Sequence, residues 1–136
     1  MTSEYAALQH LRKGIGLADP ARLLDLPASL SDSLGLDQRD PRSVAAAVTQ
    51  FQEAIDTLSP GDRAIAVLTW NVGYSTFDLP DNIAPPTDAD WTQRCLWAIE
   101  HDFLPWTDPG SVRRQSDRVV FGLATSLVQG GQDPSP

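Results

Sequence analysis

Four times in this chain a residue with a short side-chain oxygen stands directly before a proline: Asp19-Pro20, Asp40-Pro41, Ser59-Pro60 and Asp108-Pro109. Each pair reads as a helix N-cap followed by the first helical residue. The side-chain oxygen accepts an orphan backbone N–H, and proline loses nothing where its own N–H would be unpaired. Repeated punctuation of this kind predicts an all-α chain, a compact bundle of six or seven helices. No repeat of solenoid period is present. The expected organisation is a single helical domain over 1–129 with a disordered tail over 130–136, where glycine, proline and polar residues take over.

The apolar pattern between these pairs agrees. Tyr5, Leu8 and Leu11 fall at helical spacing, and Gly14 and Gly16 stop that helix. The run Leu-Arg-Lys-Gly-Ile-Gly-Leu at 11–17 has the look of a glycine loop. No strand precedes it and no Gly-Lys-Ser follows, so it is read as a helix C-cap rather than a phosphate loop. Residues 20–35 read as two short helices broken at Pro27 and ending at Gly35. From Pro41 to Leu58, the residues Val44, Ala47, Val48, Phe51, Ile55 and Leu58 make one apolar stripe. From Pro60 to Val72 the run Ala64 to Leu68 is apolar all round, which predicts a central helix with Trp70 and Asn71 facing partners within the fold. Residues 73–89, rich in proline, acids and amides, form a long loop that is either functional or mobile, with Leu79 to Ile83 as a surface clasp.

Composition limits what such a bundle can do. The 136 residues are enough to bury a core without metals or disulfides, and 41% apolar with 21% charged residues is ordinary for a globular protein. No apolar run approaches a membrane span, and the N-terminus lacks the basic start and apolar middle of a signal peptide. The lone Cys95 has no internal disulfide partner. Together these predict a cytoplasmic protein with no membrane association. A formal net charge of -8 opposes non-specific attraction to nucleic acid or anionic lipid.

That charge is uneven. From Gly73 to Gly110 there are seven acids and one base, Arg94; from Ser111 to Val128 there are three arginines and one acid, Asp117. The stretch from Asp90 to Val128 reads as two helices facing each other across a turn, the second with Val112, Val119, Leu123 and Leu127 on its inner stripe. Arg114 and Arg118 share a face, and Arg113 lies beside them. A helix that buries one side and offers arginines in its first half meets the requirement for reading a major groove.

On Ala98, Phe103 and the Ser111-Val112-Arg113-Arg114 start, this pair resembles the helix-turn-helix class. Asp102 stands where that class has glycine, the turn holds Pro105 and Trp106, and the second helix begins about four residues late. A second resemblance covers more of the chain. Leu-Arg-Lys-Gly-Ile-Gly-Leu, Leu-Ser-Pro-Gly-Asp-Arg-Ala-Ile-Ala-Val-Leu-Thr-Trp-Asn-Val-Gly, and Asp-Trp-Thr-Gln-Arg-Cys-Leu-Trp with Ser-Val-Arg-Arg-Gln-Ser-Asp-Arg look like small helical domains of actinobacterial proteins, often beside regulatory modules. That likeness implies an all-helical regulatory piece and brings no catalytic residues.

Chemical motifs are thin. Cys95, His101 and Asp102 match no zinc spacing, and only His10 remains as a further histidine. Glu100-His101-Asp102 reads as a helix end, Cys95 as a buried thiol, and Trp91, Trp97 and Trp106 as core before platform. The expectation is a non-enzymatic chain with no cofactor and no metal. Its first expected role is a regulatory or adaptor module that binds another protein through the C-terminal helix pair and the acidic loop. The alternative is a helix-turn-helix DNA-binding regulator. In either case the contact residues would be Ser111, Arg113, Arg114, Arg118 and Trp106, and a homodimer is compatible with both.

Overall fold

A computed structural model describes residues 3–37 and 39–131. Six α-helices carry it: α1 (Ser3–His10), α2 (Ala28–Leu34), α3 (Ser43–Asp56), α4 (Pro60–Trp70), α5 (Trp91–Glu100) and α6 (Pro109–Gly131). Three short 3-10 segments, Gly16–Ala18, Pro20–Asp25 and Tyr74–Phe77, complete the regular structure, and no strand occurs among the described residues. The all-α bundle expected from the cap pairs is what the chain forms.

The apolar run in α4 puts that helix at the centre: Ala64 through Trp70 are all buried, at 8% exposure or less. Burying the larger aliphatic side chains among them, Ile65, Val67 and Leu68, is worth roughly 1.5–3 kcal/mol apiece. Phe51, from the predicted stripe of α3, meets Trp70 edge to face at 5.0 Å. The Trp70 indole N–H is not stranded, because Nε1 donates to the Leu8 carbonyl of α1 at 2.9 Å. The long α6 lies against α1, α2 and α4, with Val112, Val119, Val120, Leu123 and Ala124 on its inner face.

The caps divide. Asp108 behaves as expected, its Oδ2 accepting Ser111 N at 2.9 Å. Ser59 and Asp19 hold the cap position before their prolines without a side-chain bond. Asp40 departs further: its Oδ1 accepts Arg42 N two residues on, closing a local turn, so α3 starts at Ser43 rather than Pro41. At the other end α6 continues through Gly130 and Gly131, residues expected in the tail. The remainder of that expected tail, 132–136, lies outside the described residues.

The bundle is knotted by one buried cation. Arg94 of α5 has no exposed surface, and among the described residues no carboxylate pairs with it. Its five N–H donors go to five backbone carbonyls. Nε donates to Leu68 O at 2.8 Å, Nη1 to Gly14 O and Ala89 O at 2.7 Å each, and Nη2 to Arg12 O at 3.0 Å and Thr69 O at 3.2 Å. Leu68 and Thr69 belong to the last turn of α4, whose carbonyls have no intrahelical partner and carry the negative end of the helix dipole. Arg94 therefore caps α4 from outside the helix while holding the exit of α1 and the start of α5. Burial pushes its basicity down, and the five carbonyls solvate the charge in place of water.

Asn71 completes the knot. It ends α4 in the left-handed conformation at φ 57°, and its Nδ2 donates to Ile15 O and to Thr87 O, each at 2.8 Å. Its Oδ1 accepts the Tyr74 hydroxyl. The 73–89 loop is thus pinned near its far end by Asn71 and Arg94. Near its start Tyr74 and Phe77 pack into a ring cluster with Trp97 and Phe103.

These buried groups set an alkaline limit. Burial pushes the Tyr74 hydroxyl from near 10 up to about 12, and the Cys95 thiol from near 9 up to about 12. Both are held neutral by the fold, so their contribution is full below those unfolded values and lost as pH rises towards 12. For Tyr74 this amounts to about 2–3 kcal/mol. Urea unfolding followed at stepped pH should show stability falling above about pH 9–10. Tyr74→Phe should flatten the upper part of that fall; an unchanged slope would show that the phenol is not the titrating group.

Candidate interaction site

The arginine-bearing start of α6 is shaped by Asp108. Besides Ser111 N, its carboxylate accepts the Ser111 hydroxyl at 2.8 Å, and Arg114 Nη2 donates to that same hydroxyl oxygen at 2.9 Å. The Ser111 bonds hold the Asp108 carboxyl below the usual carboxylate range. Ser111 is therefore committed to the cap. Arg118 is committed too. Its guanidinium forks onto both carboxylate oxygens of Asp62 at the start of α4, and Nε reaches Gln115 Oε1 at 3.1 Å. Of the three arginines expected at the contact, Arg118 is thus held by Asp62 and ties α6 to α4 on the surface. Trp106 is half-buried and packs against the core.

Arg113 and Arg114 remain exposed, and among the described residues neither forms an ion pair. Arg114 sits beside the Asp108–Ser111 cap. Arg113 borders a place where α1, α5 and α6 meet. On one side of it lies a cleft of about 300 Å³ lined by Ala6, Gln9, His10, Arg12, Lys13 and Arg113. On the other lies a cleft of about 260 Å³ lined by Trp91, Thr92, Cys95, Pro109, Gly110 and Arg113. His10 and Lys13 are exposed. Between the two clefts, Arg12 is fixed: 5% exposed, its guanidinium 5.2 Å from the Trp91 ring centre, donating to Ser116 Oγ at 2.9 Å and Asp117 Oδ1 at 2.8 Å. Ser116 Oγ lies 2.9 Å from Thr69 Oγ1, which itself donates to Ile65 O, so the serine proton points to the threonine. This relay is satisfied throughout and rigidifies the wall.

Sequence reasoning placed Arg113 at the site and weighed Trp91 as a platform only behind a core role, but missed His10, Lys13 and Arg12. The basic residues of the first segment lie about a hundred positions from Arg113, and no local pattern links them. The other candidates resolve into structure. Cys95 is 2% exposed with its thiol held protonated. His101 caps α5, its Nδ1 lying 2.9 Å from Trp97 O and its ring stacked on Phe103 at 5.9 Å. Asp102 follows in the left-handed conformation at φ 59°. Among the described residues no three metal-ligating side chains gather, and no helix is long and apolar enough to cross a membrane.

The fold and this edge define an all-α bundle with a basic, partly aromatic double cleft at one end of its longest helix. Comparison with protein-family models, curated proteins and solved structures finds no match to the chain.

Proposed function

We propose that this chain is a non-enzymatic regulatory or adaptor module that binds another protein through the exposed arginine end of α6. One observation carries the reading: Arg113 stands exposed beside Lys13 and His10, and Arg114 is exposed next to it in sequence, in a chain whose net charge is -8. A basic edge on an acidic body orients an encounter and selects partners by charge. The acids of the adjoining loop, Asp78, Asp81, Asp88 and Asp90, are exposed and would reject a partner presented the wrong way round.

The geometry favours this over the DNA-reading alternative. A recognition helix stands proud of its domain, whereas α6 is flanked by α1, α2 and α4, and its Arg118 is occupied by Asp62. The connection between α5 and α6 spans residues 101–108, longer than the three- or four-residue turn of the DNA-binding motif. Affinity capture compares the native chain with the Arg113→Glu/Arg114→Glu double variant. A protein retained by the first and lost by the second, with salt-sensitive retention, is the expected result. Equal retention by both would remove the α6 edge from the contact. A duplex mobility shift at low salt that Arg113→Ala abolishes would transfer the function to nucleic acid.

A further inference from the structure

We infer that the double cleft around Arg113 receives an acidic–apolar peptide segment of the partner. An Asp or Glu carboxylate enters between Lys13, His10 and Arg113, and a neighbouring apolar side chain lies on Trp91 and Pro109. This rests on the protein-binding reading above and adds the place and chemistry of the contact.

Three observations carry it. The first is charge. His10, Lys13 and Arg113 all open onto the first cleft, while Asp117, which reaches this region through its bond to Arg12, is already engaged. No carboxylate lines this cleft to match the charges of Lys13 and Arg113, His10 adds a hydrogen-bonding ring, and a carboxylate can take bidentate bonds from Arg113. The second is the division of the walls. Arg113 borders both clefts, one lined largely by basic and amide groups, the other by Trp91, Cys95, Pro109 and Gly110. An anionic group and an apolar group placed side by side match that division. The third is rigidity. Arg12 is locked over Trp91 by Ser116 and Asp117, so the wall is ordered before binding and little entropy is lost there.

Size separates a peptide from nucleic acid. Clefts of about 300 and 260 Å³ suit the side chains of a peptide, and of the cations lining them Arg12 is already spent on Asp117, which leaves Lys13 and Arg113 for a ligand. The remaining acidic surface repels a long polyanion more strongly than a short acidic segment on a partner.

The probe is a fluorescein-labelled dodecapeptide of alternating Asp-Glu and Leu-Phe pairs, titrated at low salt and followed by anisotropy and by tryptophan emission. A peptide with lysines replacing the acids and a random-sequence duplex oligonucleotide serve as comparators. Saturable binding of the acidic peptide is expected, with an emission shift lost in Trp91→Phe. Arg113→Glu and Lys13→Glu should each weaken binding by about tenfold or more, whereas Arg39→Glu, exposed between α2 and α3 and lining neither cleft, should change it by less than about threefold. All three charge-reversed side chains are exposed, so circular dichroism should report an unchanged fold. Absence of saturable binding, equal affinity of the Lys13→Glu chain, or tighter binding of the duplex through the same residues would overturn the inference. Partner capture that depends on Arg114 but not Lys13 would leave the module reading standing and reject this cleft alone.

Discussion

Replacing Arg94 with alanine is expected to cost about 5 kcal/mol or more, enough to remove most or all of the stability of a domain this size. Five carbonyls, those of Arg12, Gly14, Leu68, Thr69 and Ala89, would lose their donor at once. Replacing a buried ion pair by apolar residues can be harmless, because both partners leave together. Here the acceptors are backbone and cannot be removed, so Arg94→Met, which fills the space, should fare little better than alanine. Arg94→Lys keeps the charge but offers three donors in place of five, and should fall between. Urea unfolding reads the order native, lysine, then methionine and alanine together. A methionine variant within about 1 kcal/mol of native would mean that water reaches and satisfies those carbonyls. Because Ala89 is one of the acceptors, the variants should also loosen the approach to α5, visible as a red shift of Trp91 emission before global unfolding.

This knot marks the boundary of what the sequence made legible. The helices were readable because their signals are local. The stripe from Val44 to Ile55, the all-round apolar run of α4, and the stop at Gly35 each lie within a few residues of the structure they specify. The start of α3 was misplaced by two residues because Asp40 had two local uses, cap or turn, and the turn won. Arg94 could only be noticed as the one base in an acidic stretch, since its acceptors come from positions 12, 14, 68, 69 and 89. The same limit applies to the interaction edge. Arg113 was visible as a helical arginine, but its neighbours His10 and Lys13, and the capture of Arg118 by Asp62, are products of tertiary packing.

Gly16→Ala should cost about 3 kcal/mol or more, the second-largest effect expected of a single substitution, and through a different cause. Gly16 has φ +56°, and a Cβ there would lie 2.7 Å from the Trp70 carbonyl oxygen and 3.0 Å from its carbon. Both are backbone atoms at the end of α4, held by the Trp70 and Asn71 bonds to Leu8 and Ile15, so they cannot step aside. Gly35 provides the matched comparison: φ is +70°, but nothing lies within 4 Å of its Cβ position. Gly35→Ala should cost only the left-handed strain, about 1 kcal/mol. Asparagine separates the two terms further, because it tolerates that conformation yet still carries a Cβ. Gly35→Asn should be close to neutral and Gly16→Asn nearly as damaging as alanine. Equal losses at the two glycines would show that the loop retreats from Trp70 and that contact there is unimportant. The Gly16 substitution also has a reach that the Gly35 one lacks, since Arg12 and Gly14, on the same loop, supply two of the Arg94 acceptors. Displacing the loop weakens bonds that Arg94→Lys would already have lost, so the Gly16→Ala/Arg94→Lys double variant should be destabilised by less than the two single losses added together.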